Sequence, residues 1–166
     1  MSRAGNFFED FSLGQTFRHA PPRTLGEADQ TLYAALTGAR FALQDARTFA
    51  RGLGLPATPL DDLLVFHVVF GQSVADISLN AVANLGYAGG VFGASVFPGD
   101  TLSARSTVIG LKETSNRRTG IVWVKTVGVN QDGRTVVEYV RWVMVRKRDE
   151  AAPAPAPCVP ELPAAA

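Results

Sequence analysis

The stretch that decides the fold is residues 61–76, DDLLVFHVVFGQSVAD. Its leading pair, Asp61 and Asp62, is typical of a helix N-terminus, where a side-chain oxygen accepts a hydrogen bond from a free backbone N–H. The apolar run that follows also suits a strand, because Val and Phe favour sheets. The aspartate pair and a length of about four turns favour the helix. Because the run is apolar on every side, we expect this helix to be buried all round.

After this helix the apolar pattern changes from helical spacing to alternation. Three long segments rich in β-branched residues, 102–111, 121–129 and 134–146, are separated by polar turns, which is typical of consecutive antiparallel strands. A helix buried on all faces needs a sheet curved around it. The sequence therefore predicts an α+β hot-dog fold, with a curved antiparallel sheet wrapped around a long central helix. A doubly wound α/β fold is disfavoured because helices do not alternate with these strands.

The two ends of the chain differ in character. Residues 26–36 have helical spacing and Gly38 supplies a stop, while Asp45 can cap a second short helix over 46–53. We expect the hot-dog domain to span residues 1–148. Residues 149–166 are rich in Pro and Ala, and we interpret them as a linker to another module or as a disordered tail.

The composition argues against several classes of partner. The 166 residues carry a formal net charge of +1, so bulk electrostatics favour neither nucleic acid nor an anionic membrane. No apolar segment approaches the ~20 residues that span a bilayer, and no secretory signal is visible. The histidines and the single cysteine are far apart in the chain and indicate no metal site. We therefore expect a cytoplasmic protein.

Several polar residues are candidates for a functional site, and each has a simpler interpretation. His67 lies within the apolar helix, where a hydrogen-bonded core histidine is the alternative to a catalyst. His19 follows a short strand-like segment, and we interpret it as structural or solvated. Arg40 is either a surface residue or a guanidinium that binds a carboxylate or phosphate. Asn80 and Asn84 share one face if 79–87 is a strand, where they would either bind a small polar group or serve as sheet-edge residues.

Eight blocks of sequence carry a family resemblance. Four of them resemble the MaoC-type dehydratases, a hot-dog family of enoyl-CoA hydratases: FEDFSLGQ at 8–15, RTLGEAD at 23–29, ALTG at 35–38 and VFPGDTL at 96–102. Four others resemble the N-terminal half of the mesaconyl-CoA hydratase (β-methylmalyl-CoA dehydratase) family: DDLLVFHVVFG at 61–71, DISLNAVANLGY at 76–87, GLKETSNR at 110–117 and YVRWVMVRKR at 139–148. The resemblance covers about residues 7–163.

The resemblance implies a reaction and a mechanism. It implies reversible addition of water across the double bond of a short branched enoyl-CoA, with the CoA thioester as substrate and no other cofactor. In the family an Asp follows a Thr-Gly pair and a His comes five positions later, but here those positions hold Ala39 and Gln44. The family also uses backbone N–H groups at the start of the central helix to hold the thioester oxygen, which would make Leu63 and Leu64 substrate-binding residues.

Three functions stay open at this point. The chain is the non-catalytic half of a two-module hydratase, or a homodimeric hydratase with Asp62 and His67 as a relocated acid–base pair, or a binding module for acyl thioesters. A hot-dog thioesterase that relies on Asp62 is a variant. A hot-dog sheet leaves an edge strand unpaired, so we expect a second hot-dog module or another copy of the chain as partner, and neither nucleic acid nor membrane.

Overall fold

The computed structural model describes residues 5–162 and contains a six-stranded antiparallel sheet with a helix packed against it. The strands are β1 (Thr16–Arg18), β2 (Arg23–Thr24), β3 (Ala81–Phe92), β4 (Thr101–Glu113), β5 (Thr119–Val129) and β6 (Thr135–Arg146). They lie in the order β1-β4-β5-β6-β3, and β2 pairs with the end of β4. The predicted antiparallel run of three long strands and the α+β class are both confirmed.

The helices are α1 (Glu27–Thr37), α2 (Ala42–Asp45), α3 (Arg47–Gly52) and α4 (Asp62–Ser73), which continues into one π-helical turn, Val74–Ser78. α1 ends at Gly38, whose φ of 69° is the left-handed conformation that glycine adopts readily. The second predicted helix forms as α3, but the predicted cap is wrong. Asp45 is the last residue of α2, and Ala46 precedes α3 without a side-chain cap.

The central helix α4 forms where the aspartate pair predicts it, but only one side of it is buried. Leu64, Val65 and Val69 face the sheet and lie in the core, whereas Leu63 and His67 are exposed. The expectation of burial all round is therefore wrong. An apolar composition shows that a helix tolerates burial, and it does not show that other elements cover every side.

The core consists of two apolar clusters on the inner face of the sheet. The first surrounds the start of α4, and its members include Leu64, Val69, Leu102, Val137 and Tyr139. The second lies beyond the end of α4, and its members include Phe8, Ile77, Val108, Val124 and Val143. α4 with its π-turn, β4 and β6 each contribute to both clusters, so each of these elements crosses from one cluster to the other.

Buried polar residues lie at that crossing. Passing along each element from the first cluster to the second, one meets Ser73 in α4, Ser106 in β4 and Arg141 in β6. Thr126 in β5 and His19 after β1 are buried beside them. We call these five residues, together with Asp76 of the π-turn, the polar layer. It divides the core in two.

The Pro-rich segment contacts the sheet at Cys158 and Pro160. Cys158 and Leu111 exchange backbone hydrogen bonds of 2.7 and 2.8 Å, which extends the sheet beyond the end of β1. Gly110 permits this contact, because a Cβ there would collide with Pro160 and the carbonyl of Cys158. Its role as a linker stays a prediction. Among the described residues, no helix is long and apolar enough to cross a membrane.

Candidate active site

The loop after α1 holds the positions where the family motif is replaced. Ala39 and Arg40 follow the end of α1, and Arg40 is exposed and forms no ion pair among the described residues. Gln44 lies in α2 beside a small cavity of about 160 Å³ that Gln30 also lines. The side-chain oxygen of Gln44 is buried without a hydrogen-bond partner. Neither Ala39 nor Gln44 is a side chain that can move a proton at neutral pH.

The N-terminus of α4 is closed by its own cap. The Asp61 carboxylate accepts a hydrogen bond from the Leu63 N–H at 2.8 Å, and the Asp61 N–H donates to Gln30 Oε1 at 2.8 Å. Leu63 carries an exposed side chain, and Leu64 points into the core. Because the Leu63 N–H already has a carboxylate as acceptor, it cannot hold a thioester oxygen unless Asp61 turns away.

Asp62 and His67 lie on different sides of α4. Five residues on an α-helix are separated by about 140° around the axis, and no hydrogen bond links the two side chains. Partial burial raises the pKa of the Asp62 carboxyl, and the negative charge of Asp61 adds to that shift. The His67 ring is exposed and lies 6.0 Å from the Tyr33 ring and 5.6 Å from Phe66. The structure does not bring the two together as an acid–base pair.

Asn80 and Asn84 do not share a strand face. Asn80 precedes β3, and its side-chain amide donates to the carbonyl of Asn6 at 3.2 Å. Asn84 is exposed on β3, next to one of the register shifts that interrupt the pairing of β3 with β6. The bulges break the period-two pattern on which the prediction of a shared face depended.

His19 is buried and hydrogen-bonded, which fits its interpretation as a structural residue, but sequence reasoning found none of its partners. Its Nδ1 lies 2.8 Å from Asp76 Oδ2 and its Nε2 lies 2.8 Å from Ser106 Oγ, which in turn lies 2.8 Å from Thr126 Oγ1. Burial lowers the pKa of His19, while the hydrogen bond and charge of Asp76 oppose that shift. A neutral ring that donates from Nδ1–H to Asp76 and accepts the Ser106 hydroxyl at Nε2 satisfies every partner.

Arg141 is the second residue of the polar layer whose side chain could take part in binding or chemistry. It is 0% exposed, its Nη2 donates to Ser73 Oγ at 3.0 Å, and its guanidinium carbon lies 4.6 Å from the centre of the Phe70 ring. Burial lowers the pKa of Arg141, and the neighbouring Tyr139 and Tyr87 oppose that shift. Burial also raises the pKa of Tyr139 to about 12. The sequence contained a signal for Arg141, because alternate residues of a strand lie on one face and Arg141 therefore shares the inner face of β6 with Val137, Tyr139 and Val143.

An aromatic cluster connects this buried cation with the surface. Phe66, Phe70, Tyr87 and Tyr139 have ring centres between 4.9 and 6.4 Å apart in the contacting pairs. Tyr139 is buried, whereas Tyr87 on the sheet-edge strand is 47% exposed. The cluster therefore runs from the open edge of the sheet to the polar layer.

Two curated proteins are similar in sequence to this chain. The chain is 63% identical over 161 residues to a mesaconyl-CoA hydratase of Cereibacter sphaeroides, covering 97% of this chain and 47% of that protein. It is 63% identical over 159 residues to a beta-methylmalyl-CoA dehydratase of Chloroflexus aurantiacus, covering 96% of this chain and 45% of that protein. The chain thus spans about half the length of the curated relatives it matches.

Two solved structures share the fold of this chain. A MaoC domain protein dehydratase from Chloroflexus aurantiacus superposes with a TM-score of 0.95 at 62% identity, covering 97% of this chain and 46% of that one. A Mycobacterium tuberculosis protein described as a double hot-dog fold superposes with a TM-score of 0.85 at 28% identity, covering 91% of this chain and 47% of that one. The predicted hot-dog fold is confirmed. Since the mesaconyl-CoA hydratase family model also matches residues 1–156, this chain belongs to the mesaconyl-CoA hydratase family.

Proposed function

We propose that this chain is the non-catalytic half of a two-module enoyl-CoA hydratase acting on a short branched enoyl-CoA such as mesaconyl-CoA. The observation that carries the proposal is the N-terminus of α4, where the Leu63 N–H donates to the Asp61 carboxylate and the residues that the structure describes form no acid–base pair beside it. The names of the relatives, and the fact that the chain spans about half their length, support it.

The proposed reaction adds water reversibly across the double bond of the thioester. One group must take a proton from water while another gives a proton to the α-carbon, and the thioester oxygen needs hydrogen-bond donors as it gains negative charge. Acid–base groups suffice for this chemistry, so the proposal includes no cofactor other than the CoA carried by the substrate. In this half the motif positions hold Ala39 and Gln44, so we assign the proton transfers to the second half.

The surface of the chain favours a second hot-dog module as partner. β3 pairs only with β6 among the described strands, so its other edge offers unpaired backbone groups. Exposed apolar side chains lie along this strand, including Val82, Tyr87, Val91 and Phe92. A free edge with apolar flanks is suited to burial against another protein surface. We infer that the partner covers β3, and a homodimer of this chain is the alternative arrangement.

Hydration assays test this proposal. Loss of enoyl-thioester absorbance is followed with mesaconyl-CoA for the purified chain alone, and for its mixture with the separately made part of the Cereibacter relative that this chain does not cover. We expect no hydration by either piece alone and hydration by the mixture. Hydration by the chain alone would contradict the proposal, and so would a mixture that forms a complex but stays inactive.

A second candidate function rests on Asp62. The raised pKa of this exposed carboxyl suits it to hold and donate a proton nearer neutrality than an ordinary aspartate. In that case the chain itself is a homodimeric hydratase or a hot-dog thioesterase. Asp62→Asn would then abolish the activity of the chain alone, with Asp132→Asn in an exposed turn as the matched control.

A further inference from the structure

The starting observation is a buried cation with unused hydrogen-bond donors. Arg141 is 0% exposed, and only its Nη2 has a hydrogen-bond partner, Ser73 Oγ, while Nε and Nη1 have none among the described residues. The hydroxyl of Tyr139, two residues away on the same inner face, is also buried and has no hydrogen-bond partner in the described part of the chain. Two neighbouring side chains thus leave three polar atoms unsatisfied, where native cores leave very few.

No carboxylate within residues 5–162 serves as the counter-charge for Arg141. Asp76 is the acid of the polar layer, and its Oδ2 is bonded to His19 at 2.8 Å. Arg141 forms no ion pair with any carboxylate of residues 5–162, and its guanidinium also lies over the Phe70 ring. A buried charge without a partner is strongly unfavourable, and an apolar residue of similar volume would avoid that cost. The position therefore favours an anion supplied from outside the chain.

The position of Arg141 allows such an anion to reach it. Arg141 on β6 is opposite Tyr87 on β3, the edge strand, so one strand spacing of about 4.8 Å separates it from the edge where we infer that the second module docks. A groove of about 390 Å³ at this edge is lined by Phe70, Asn84 and residues between Val74 and Ala83. Phe70 lines this groove and its ring packs against the guanidinium, so displacement of this ring would connect the groove with Arg141.

We propose that Arg141, assisted by the Tyr139 hydroxyl, binds the free carboxylate of a dicarboxylic acyl thioester and so selects such substrates over monocarboxylic ones. A guanidinium is the side chain best matched to a carboxylate, because its N–H groups can hold both oxygens at once. The inference rests on the proposed function, since it gives the acyl pocket shaped by this half its specificity. It assigns Arg141 to substrate recognition and not to proton transfer.

Equilibrium binding of two unreactive thioesters tests this inference. Succinyl-CoA carries the free carboxylate and butyryl-CoA lacks it, and both are titrated against the chain alone and against its mixture with the second half. We expect succinyl-CoA to bind at least tenfold tighter, the ratio that about 1.4 kcal/mol provides. Arg141→Gln should bring the two dissociation constants to within about twofold, and Arg141→Lys should retain part of the preference.

Controls separate recognition from stability. Arg105→Gln changes an exposed arginine on β4 and should leave the preference intact. If Arg141→Gln does not fold, the wild-type ratio and the Arg141→Lys variant still decide the question. Equal affinity for the two thioesters in the wild type, no binding of either, or an undiminished preference in Arg141→Gln would overturn the inference.

The test also distinguishes this inference from the proposed function. A preference for succinyl-CoA that depends on Arg141, without hydration of mesaconyl-CoA by the mixture, would refute the proposed function and uphold the carboxylate site. Hydration of mesaconyl-CoA by the mixture that is insensitive to Arg141→Gln would uphold the proposed function and refute the carboxylate site.

Discussion

The N-terminus of α4 and the polar layer are two polar regions of one small domain, and they differ in what surrounds them. The exposed side of the helix carries Asp61, Asp62 and His67. Water there can bond any polar group that lacks a partner in the chain. His19 and Arg141 lie inside, where each polar atom needs a partner. Sequence motifs direct attention to the first region, whereas the unusual chemistry lies in the second.

The difference shows how burial changes the meaning of a residue. Asp61 is a helix cap, and its contribution is local. Asp76 is bonded to a distant part of the chain, because His19 of the N-terminal segment lies 2.8 Å from its carboxylate and in turn contacts Ser106 of β4. Removing a group of the first kind weakens one helix end, whereas removing one of the second kind leaves other buried groups unsatisfied.

The largest expected effect is that of Asp76→Ala. This change leaves the buried Nδ1–H of His19 without an acceptor, which costs about 1–3 kcal/mol in the free energy of unfolding. Asp62→Ala, at the exposed end of α4, should cost about 0.5 kcal/mol or less. Urea unfolding of the two variants measures both values. Equal losses would contradict the distinction between the two regions.

An intermediate effect is expected for Asp61→Ala. Loss of a helix N-cap costs about 1 kcal/mol, and the variant exposes the Leu63 N–H that the carboxylate now occupies. Asp61→Ser keeps an acceptor and should retain most of the stability. Because we assign no catalytic role to this end of the helix, hydration by the two-part mixture should stay unchanged in both variants. A large gain or loss of hydration would show that the helix end takes part in the chemistry.

The smallest expected effect is a pH dependence. The pKa of His19 is lowered from 6.5 by burial in the folded chain. Below pH 6.5 the unfolded chain therefore binds a proton that the folded chain resists, so stability falls as the pH drops toward the folded pKa and is retained above pH 6.5. We expect a loss below about 1 kcal/mol between pH 6.5 and pH 5.5.

Two histidine variants assign that pH dependence. His19→Gln should flatten the slope of unfolding free energy against pH, whereas His67→Gln, at an exposed position, should leave it as in the wild type. Urea unfolding at pH 7.5, 6.5 and 5.5 gives the slopes. A slope that follows His67 instead of His19 would contradict the assignment, since Asp76 and Arg141 face His19 and not His67.

Local signals explain which parts of the fold could be predicted. The start of α4 followed from an aspartate pair whose hydrogen bond spans two residues, and the long strands followed from alternation within each segment. The exposed side of α4 could not be predicted, because composition does not reveal where the sheet ends. The predicted cap at Asp45 was wrong, because Asp45 ends another short helix, α2.

The candidate site was predictable only where its residues interrupt a local pattern. Arg141 and Ser106 break an apolar alternation in their strands, a signal that was available in the sequence. His19 offered no such signal, because its partners are 57 and 87 residues away. The register shift between Ala81 and Ala83 of β3, which lies between Asn80 and Asn84, likewise depends on pairing with β6.

The central claim is that the proton transfers belong to the second half and not to the exposed end of α4. The most direct test is kcat/KM for mesaconyl-CoA hydration by the two-part mixture that contains Asp62→Asn and His67→Gln together. We expect a value within about threefold of the wild type, since neither group touches the reacting atoms in this account. A loss of roughly a hundredfold or more, the size expected for a general acid or base, would contradict it.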